Sequence, residues 1–187
     1  MTNYESKWQE IYPGSVYCTP ALKMFEDFSK GCNNFVETGT AGVGGLVHAF
    51  KIGFQNYYSV DIDKKFFDNA MYIFEEEDNV FLIQGESHAA LETWLSKIDD
   101  KCLFWLDAHP NNPAEKTIPN RILSDELDAI KKHSYKEHTI LIDDMPVYFD
   151  TEQVKKKILE INPQYQFEMR PSSIGVEDYI LCAYIGE

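Results

Sequence analysis

Residues 34–45 read Asn34-Phe35-Val36-Glu37-Thr38-Gly39-Thr40-Ala41-Gly42-Val43-Gly44-Gly45. An apolar run from Asn34 to Glu37 ends on an acid, crosses a glycine-rich turn and enters an amphipathic stretch from Leu46 to Lys51. That order reads as strand, loop, helix, and the glycines let a ligand approach the backbone closely. A dinucleotide fingerprint would place a third glycine where Val47 follows Gly42 and Gly44, and the Gly-Lys-Ser/Thr of a phosphate-binding loop is absent. Glu37 suits a ligand carrying ammonium or sulfonium charge rather than a pyrophosphate. The bland alternative is that Gly39 to Gly45 is only a tight turn.

The same pattern repeats outward. After an irregular opening at Pro13-Gly14, residues 19–30 read as a helix with Leu22, Phe25 and Phe28 on one face. Further strands are Tyr57 to Val60, Val80 to Ile83, Cys102 to Leu106 and Thr139 to Ile142. Helices follow: one through Phe74, one holding Leu91, Trp94 and Leu95, one from Ile122 to Lys132 and one from Val154 to Ile161. Gln164 to Met169 and Tyr179 to Ile185 are joined too tightly for a helix, so they should pair antiparallel. The expectation is an α/β fold of Rossmann-like form, with a seven-stranded, mostly parallel sheet, a C-terminal antiparallel hairpin and helices on both faces. All 187 residues are expected to form one domain, residues 1–32 serving as an N-terminal helical or lid segment.

Composition bounds the partners. With 17 Lys+Arg against 31 Asp+Glu the formal charge is −14, which repels nucleic acid over most of the surface. The dense cationic run Lys155-Lys156-Lys157 reads as the solvated face of a helix. Cys18, Cys32, Cys102 and Cys182 show neither zinc spacing nor a disulfide framework. No apolar run approaches the roughly 20 residues of a membrane span. Without a basic stretch leading into an apolar one, no secretory signal is read, and the cytoplasm is the expected compartment. A small-molecule substrate fits better than nucleic acid or membrane; oligomeric state is not legible.

Polar and acidic residues gather at the strand ends, where open α/β sheets bind ligands. They are Glu37-Thr38-Gly39, Asp61, Gly85 to Ser87, Asp107 to His109 and Asp143-Asp144. Asp61 can accept both hydroxyls of a ribose, leaving Asp63 to cap the next helix. Ser87 can meet an adenine edge or cap its own helix.

Taken in order, Glu37-Thr-Gly-Thr-Ala-Gly-Val-Gly-Gly, Val60-Asp-Ile-Asp63, Gln84-Gly-Glu-Ser87, Leu106-Asp-Ala-His109 and Ile142-Asp-Asp144 resemble the motifs of class I S-adenosylmethionine-dependent methyltransferases. The resemblance covers residues 34–187 and includes the terminal hairpin. It implies a cofactor site of Glu37, Gly39, Thr40, Asp61, Ile62, Gly85, Glu86, Ser87 and Asp107. Glu37 and Gly39 would hold the methionine portion, Asp61 the ribose, and Gly85 to Ser87 the adenine. One departure stands out: Ala41 and Val43 occupy the later glycine places of the usual E/D-x-G-x-G-x-G.

Within that fold the chain is most similar to divalent-metal O-methyltransferases such as catechol O-methyltransferase. This implies Mg²⁺ held by Asp107, Asp143 and Asp144, a hard cation on carboxylates, orienting a substrate oxygen. Pro110 stands where those enzymes carry a lysine base. His109 is the nearest replacement, as base or as metal ligand, so His109 and Asp107 are the expected catalytic pair. Asn111 to Asn120, with Lys116, is expected to cover the substrate, and Trp8, Tyr12 and Tyr17 to form an aromatic lid. The expected reaction is O-methylation of a small molecule. Its rivals are a non-catalytic binder of the same cofactor and, less suited to the loop, an NAD-dependent oxidoreductase.

Overall fold

The computed structural model describes residues 2–110, 112, 114, 116–172 and 174–186. Eight helices and seven strands lie among them, alternating from β1 to β5. The strands are β1 (Asn34–Thr38), β2 (Asn56–Asp61), β3 (Val80–Gln84), β4 (Cys102–Leu106), β5 (Thr139–Ile142), β6 (Tyr165–Arg170) and β7 (Ile180–Ile185). They form one sheet in the order β3-β2-β1-β4-β5-β7-β6. β1 to β5 pair in parallel, and β7 runs antiparallel to both β5 and β6. The expected sheet and terminal hairpin are both present.

The helices are α1 (Asn3–Ile11), α2 (Thr19–Phe28), α3 (Gly44–Ile52), α4 (Lys64–Ile73), α5 (Ser87–Leu95), α6 (Thr117–Lys132), α7 (Met145–Tyr148) and α8 (Thr151–Leu159). Successive strand residues face opposite sides, so Phe35, Leu103 and Leu141 pack under α1 to α4 while Val36, Phe104 and Ile140 pack under α5, α6 and α8. β1, β4 and β5 are buried along their whole length, as parallel strands covered on both faces must be.

Three expectations need correction. The opening is not irregular: Thr2 and Glu5 form a capping box that starts α1, whose Tyr4 and Trp8 are buried. α6 begins at Thr117 rather than Ile122, because Pro119 falls in its first turn, where a missing N–H costs nothing. A four-residue helix, α7, follows β5 where a loop was expected.

Away from the carboxyl ends of the strands, the Cys102 amide donates to His138 Nδ1 at 3.1 Å, and His138 Nε2 lies 2.9 Å from His133 Nδ1. His133 Nε2 in turn lies 2.8 Å from the Ile98 carbonyl. One donor direction satisfies this whole chain, with both rings neutral. Burial pushes His138 down to about 3.

Candidate functional site

The chain leaves β1 toward β2 and β3 on one side and returns to β4 and β5 on the other, so the crevice between β1 and β4 is the switch point. A cavity of about 650 Å³ opens there, lined by Glu37, Gly39 to Gly42, Gly44, Gly45, Asp107, Asp143 and Asp144. Its other walls come from Trp8, Tyr12 and Cys18, from Met24, His48 and Trp105, and from Ser172, Tyr179 and Ile180.

The loop after β1 keeps the backbone of a glycine motif without all its glycines. Gly39, Ala41 and Val43 have φ of 84°, 40° and 58°, every second residue in the left-handed region. The offset Gly42 and Gly44 do not need that region; a Cβ on either would meet nothing within 4 Å, so they keep the loop surface bare. Strain is therefore stored at Ala41 and at the β-branched Val43, of order 1–2 kcal/mol each. Val43 is repaid by full burial, whereas Ala41 is exposed. Ala41→Gly should accordingly raise unfolding stability by about 0.5 kcal/mol, after the larger entropy of an unfolded glycine is subtracted. Calorimetric melting checks this; a lowered midpoint contradicts it.

Glu37 lies beneath the loop. Ser59 Oγ donates to its Oε2 at 2.6 Å, and Thr40 Oγ1 lies 2.7 Å from Ser59 Oγ. Its Oε1 occupies the space a Cβ at Gly45 would need. Burial raises its carboxyl to about 8, opposed by the Ser59 hydrogen bond and reinforced by Asp107 and Asp61.

Asp61, Ile62 and Gly85 to Ser87, expected to meet a ribose and an adenine, stand at the ends of β2 and β3 and do not line this cavity. Asp61 accepts the Ala41 amide on Oδ2 and the Asp63 amide on Oδ1, each at 2.8 Å, which fixes its carboxylate and leaves lone pairs free. Asp63 caps α4 through the Lys65 amide, as expected. Ile62, next to Asp61, is 71% exposed, an apolar surface with nothing over it. Gly85 is tied to Asp61 through its amide at 3.0 Å. Glu86 is the N-cap residue of α5 and is exposed, so Ser87 is not the cap.

At β4 and β5 the acids meet a histidine. His109 Nε2 lies 3.2 Å from Asp107 Oδ1 and 2.9 Å from Asp144 Oδ2. Neither oxygen is placed to accept a well-aligned hydrogen bond, and Nε2 is buried without one. His109 Nδ1 lies 3.4 Å from the Pro110 carbonyl, and the Tyr148 ring packs 4.2 Å from the imidazole. One ligand atom each from Asp107, His109 and Asp144 falls within 4.8 Å of the others, so the three can converge on a cation. Asp143 is not one of the three: it lines the cavity and accepts the Asp144 amide at 2.8 Å. That differs from the expected set of Asp107, Asp143 and Asp144, because Asp144 adopts φ 56° at the start of α7 and so faces His109.

Electrostatics here are acid-rich. Burial raises Asp107, and burial with Asp107 nearby raises Asp143 to about 7. Burial opposes charge on His109, but Asp107 and Asp144 outweigh it and hold its proton up to about 10. A free base near 6.5 is therefore not what the metal-free site provides.

The aromatic residues of the N-terminal segment reach the site: Trp8 and Tyr12 line the cavity, and Tyr17 packs against Trp8 and His48. Asn111, Pro113 and Glu115 of the expected covering loop lie outside the described residues. Asn112, Ala114 and Lys116 do not line the cavity.

Two residues escaped sequence reasoning. His48 accepts the Cys18 amide at 2.7 Å and contacts the Gly44 carbonyl, latching the N-terminal segment to α3. Glu126 is 1% exposed with Oε1 unpartnered, and burial raises it to about 7. An acid on the apolar stripe of Leu123, Leu127 and Ile130 was the available signal.

No protein-family model matches the chain, and no curated protein does. Solved structures do match in fold. An O-methyltransferase from Bacillus cereus, in complex with SAH, superimposes with TM-score 0.62 at 17% identity, covering 98% of this chain and 90% of that one. The SAH-bound methyltransferase PaMTH1 of Podospora anserina gives 0.61 at 13%, covering 100% and 89%. A putative caffeoyl-CoA O-methyltransferase from Staphylococcus aureus gives 0.59 at 12%, covering 100% and 93%. The fold is that of the class I methyltransferases. No described helix is long and apolar enough to cross a membrane.

Proposed function

We propose that this chain transfers a methyl group from S-adenosylmethionine to an oxygen of a small molecule, with a divalent cation at Asp107, His109 and Asp144. One observation carries the reading: the carboxyls of buried Glu37 and half-buried Asp107 and Asp143, all held above their usual range, line one cavity at the sheet's switch point. Among the described residues no lysine or arginine lines that cavity, so a cationic occupant is what would let these carboxyls ionise. S-adenosylmethionine supplies an electrophilic methyl on a sulfonium beside an ammonium. Glu37 and the Gly39 loop would hold its amino-acid end, Asp61 its ribose, and Ile62 with Gly85 to Ser87 its base.

The donor set fits a metal. His109 Nε2 faces carboxylate oxygens of Asp107 and Asp144 at 3.2 and 2.9 Å, and Nδ1 lies near the Pro110 carbonyl, so a cation between the acids would take the place of the Nε2 proton while Nδ1 keeps its own. One imidazole among two carboxylates shifts the fit from Mg²⁺ toward Mn²⁺ or Zn²⁺. A cation there would lower the pKa of an acceptor hydroxyl. Asp107, His109 and Asp144 would fix where that hydroxyl sits, and Trp8 and Tyr12 would exclude water over it.

Calorimetry with S-adenosylmethionine, S-adenosylhomocysteine and NAD tests the cofactor: the first two should bind and NAD should not, whereas the reverse overturns the reading. Titration of Mn²⁺, Zn²⁺ and Mg²⁺ into wild type, His109→Ala and Asp144→Asn tests the metal, with a loss of at least about tenfold expected in each variant. Unchanged affinity in both removes the metal site. A screen of hydroxylated acceptors for S-adenosylhomocysteine release separates transfer from binding alone.

A further inference from the structure

Ile174 and Val16, 86% and 77% exposed, are the two most exposed large apolar side chains among the described residues, and both line the cavity, as does Val176 at 43%. Single exposed aliphatic residues are ordinary, but these three share one opening and stand on two pinned turns. Val16 lies between anchors. The Ser15 amide donates to the Tyr12 carbonyl at 3.1 Å, the Gln9 side chain donates to the Ser15 carbonyl, and the Cys18 amide donates to His48 Nε2 at 2.7 Å. Ile174 and Val176 belong to the turn between β6 and β7, which buried Ser172 closes. The Ser172 amide donates to the Val176 carbonyl at 2.8 Å, and its Oγ accepts the Val176 amide at 3.0 Å. The Gly175 amide donates to the Ser172 carbonyl at 3.0 Å. Turns tied in this way gain no stability from aliphatic side chains held out in water, so those side chains ask for an apolar partner.

The rest of the lining fixes the chemistry of that partner. Glu37, Asp107, Asp143 and Asp144 stand in the same cavity, and among the described residues no lysine or arginine does. Arg170, at the start of the β6–β7 turn, is taken by Glu168 at 2.8 Å and Asp27 at 3.4 Å. A carboxylate or phosphate on an entering molecule would therefore meet acids without a counter-charge. The acids are the groups that can orient a reacting oxygen, which leaves the aliphatic edge to the carbon body attached to it. We propose that Val16, Ile174 and Val176 form an acceptor subsite selecting uncharged hydroxylated molecules that carry an alkyl extension. This rests on the reading that the cavity methylates an oxygen, and it names the class of molecule that brings that oxygen in.

Catechol, 4-butylcatechol and 3,4-dihydroxybenzoate share one hydroxylated head and differ in what extends from it. Calorimetry of each, with S-adenosylhomocysteine and Mn²⁺ present, compares wild type with the double variant Val16→Ser, Ile174→Ser. Both side chains are exposed, so the variant keeps its core. Wild type should bind 4-butylcatechol about tenfold more tightly than catechol, a partial share of what burying four carbons yields, and the carboxylate more weakly than catechol. In the variant the gain from the butyl group should fall to about twofold, with catechol itself unchanged. The ratio of the two affinities is the readout, since partial unfolding weakens both ligands equally. A wild type that gains nothing from the butyl group, that prefers the carboxylate or that binds none of the three overturns the proposal, as does a variant that keeps the full gain. Sedimentation that finds wild type dimeric and the variant monomeric also overturns it, giving the patch to a second copy of the chain. A wild type that shows the gain, yet releases no S-adenosylhomocysteine when 4-butylcatechol and S-adenosylmethionine are mixed with it, keeps the subsite and overturns the transfer reading instead.

Discussion

Gly39→Ala is expected to destabilise the protein by about 3–5 kcal/mol, a large part of the roughly 5–15 kcal/mol that holds a domain together. Two costs add. The residue sits at φ 84°, where an L side chain is strained by about 1–2 kcal/mol. Its new Cβ would overlap the Asp107 carbonyl oxygen and stand 2.8 Å from the carbonyl carbon. Neither strand can step aside: the Gly39 amide donates to Val60 O at 2.9 Å and the Asp107 amide to Thr38 O at 3.0 Å. Urea unfolding of this variant beside Gly42→Ala decides the matter. Gly42 has open space and no positive φ, so its alanine should stay within about 0.5 kcal/mol of wild type. Equal midpoints for the two variants would contradict the close approach of β1 and β4.

The second large effect is on pH. A carboxyl held above its unfolded value stabilises the fold fully in acid and loses that contribution as pH rises through its folded value. Glu37 moves from 4.5 to about 8, Glu126 from 4.5 to about 7, and Asp143 from 3.8 to about 7. Their combined window runs from about pH 4 to 8, so ligand-free protein should lose stability across it. Asp143 alone, raised by about three units, accounts for up to about 4 kcal/mol. His109, raised from 6.5 to about 10, extends the loss above pH 7. His138 opposes them, since its value is pushed down to about 3 and it costs stability as pH falls below 6.5. Maximal ligand-free stability should therefore fall on the acid side of neutrality. Mn²⁺ or S-adenosylmethionine, bringing positive charge to the acids, should flatten the alkaline limb. Urea midpoints at pH 5, 6.5 and 8, with and without each ligand, test this. Ligand-free midpoints that climb from pH 6.5 to 8 would refute it.

Much of the sheet was legible because parallel strands buried on both faces are unbroken apolar runs; Cys102 to Leu106 and Thr139 to Ile142 match the expected bounds. The strand-end acids stood out for the same reason, as polar residues next to those runs. A helical N-terminal segment was expected, but the bounds of α1 were not legible, because its buried face comes from Tyr4 and Trp8, spaced four apart among charged neighbours. The loop's departure, Ala41 and Val43 in glycine places, was visible, yet only φ angles reveal that the backbone kept the motif and left the strain in place. The grouping of His109 with Asp107 and Asp144 depends on the left-handed turn at Asp144, which no spacing encodes. Glu126 was passed over because one acid on a helix reads as solvated until the packing beneath α6 is known.

The placement of β7 between β5 and β6 has a consequence for how the molecule assembles. β6 is made first but pairs only with β7, so it stays unpaired until residues 180–185 arrive, and β7 is what joins it to β5. Tyr179 and Ile180, at the start of β7, line the cavity together with Trp8 and Tyr12. On a ribosome Trp8 and Tyr12 would emerge among the earliest segments and Tyr179 and Ile180 among the latest. A nascent chain halted before residue 179 would therefore carry β1, its glycine turn and every acid named above, yet lack the part of the cavity lining that Tyr179 and Ile180 supply.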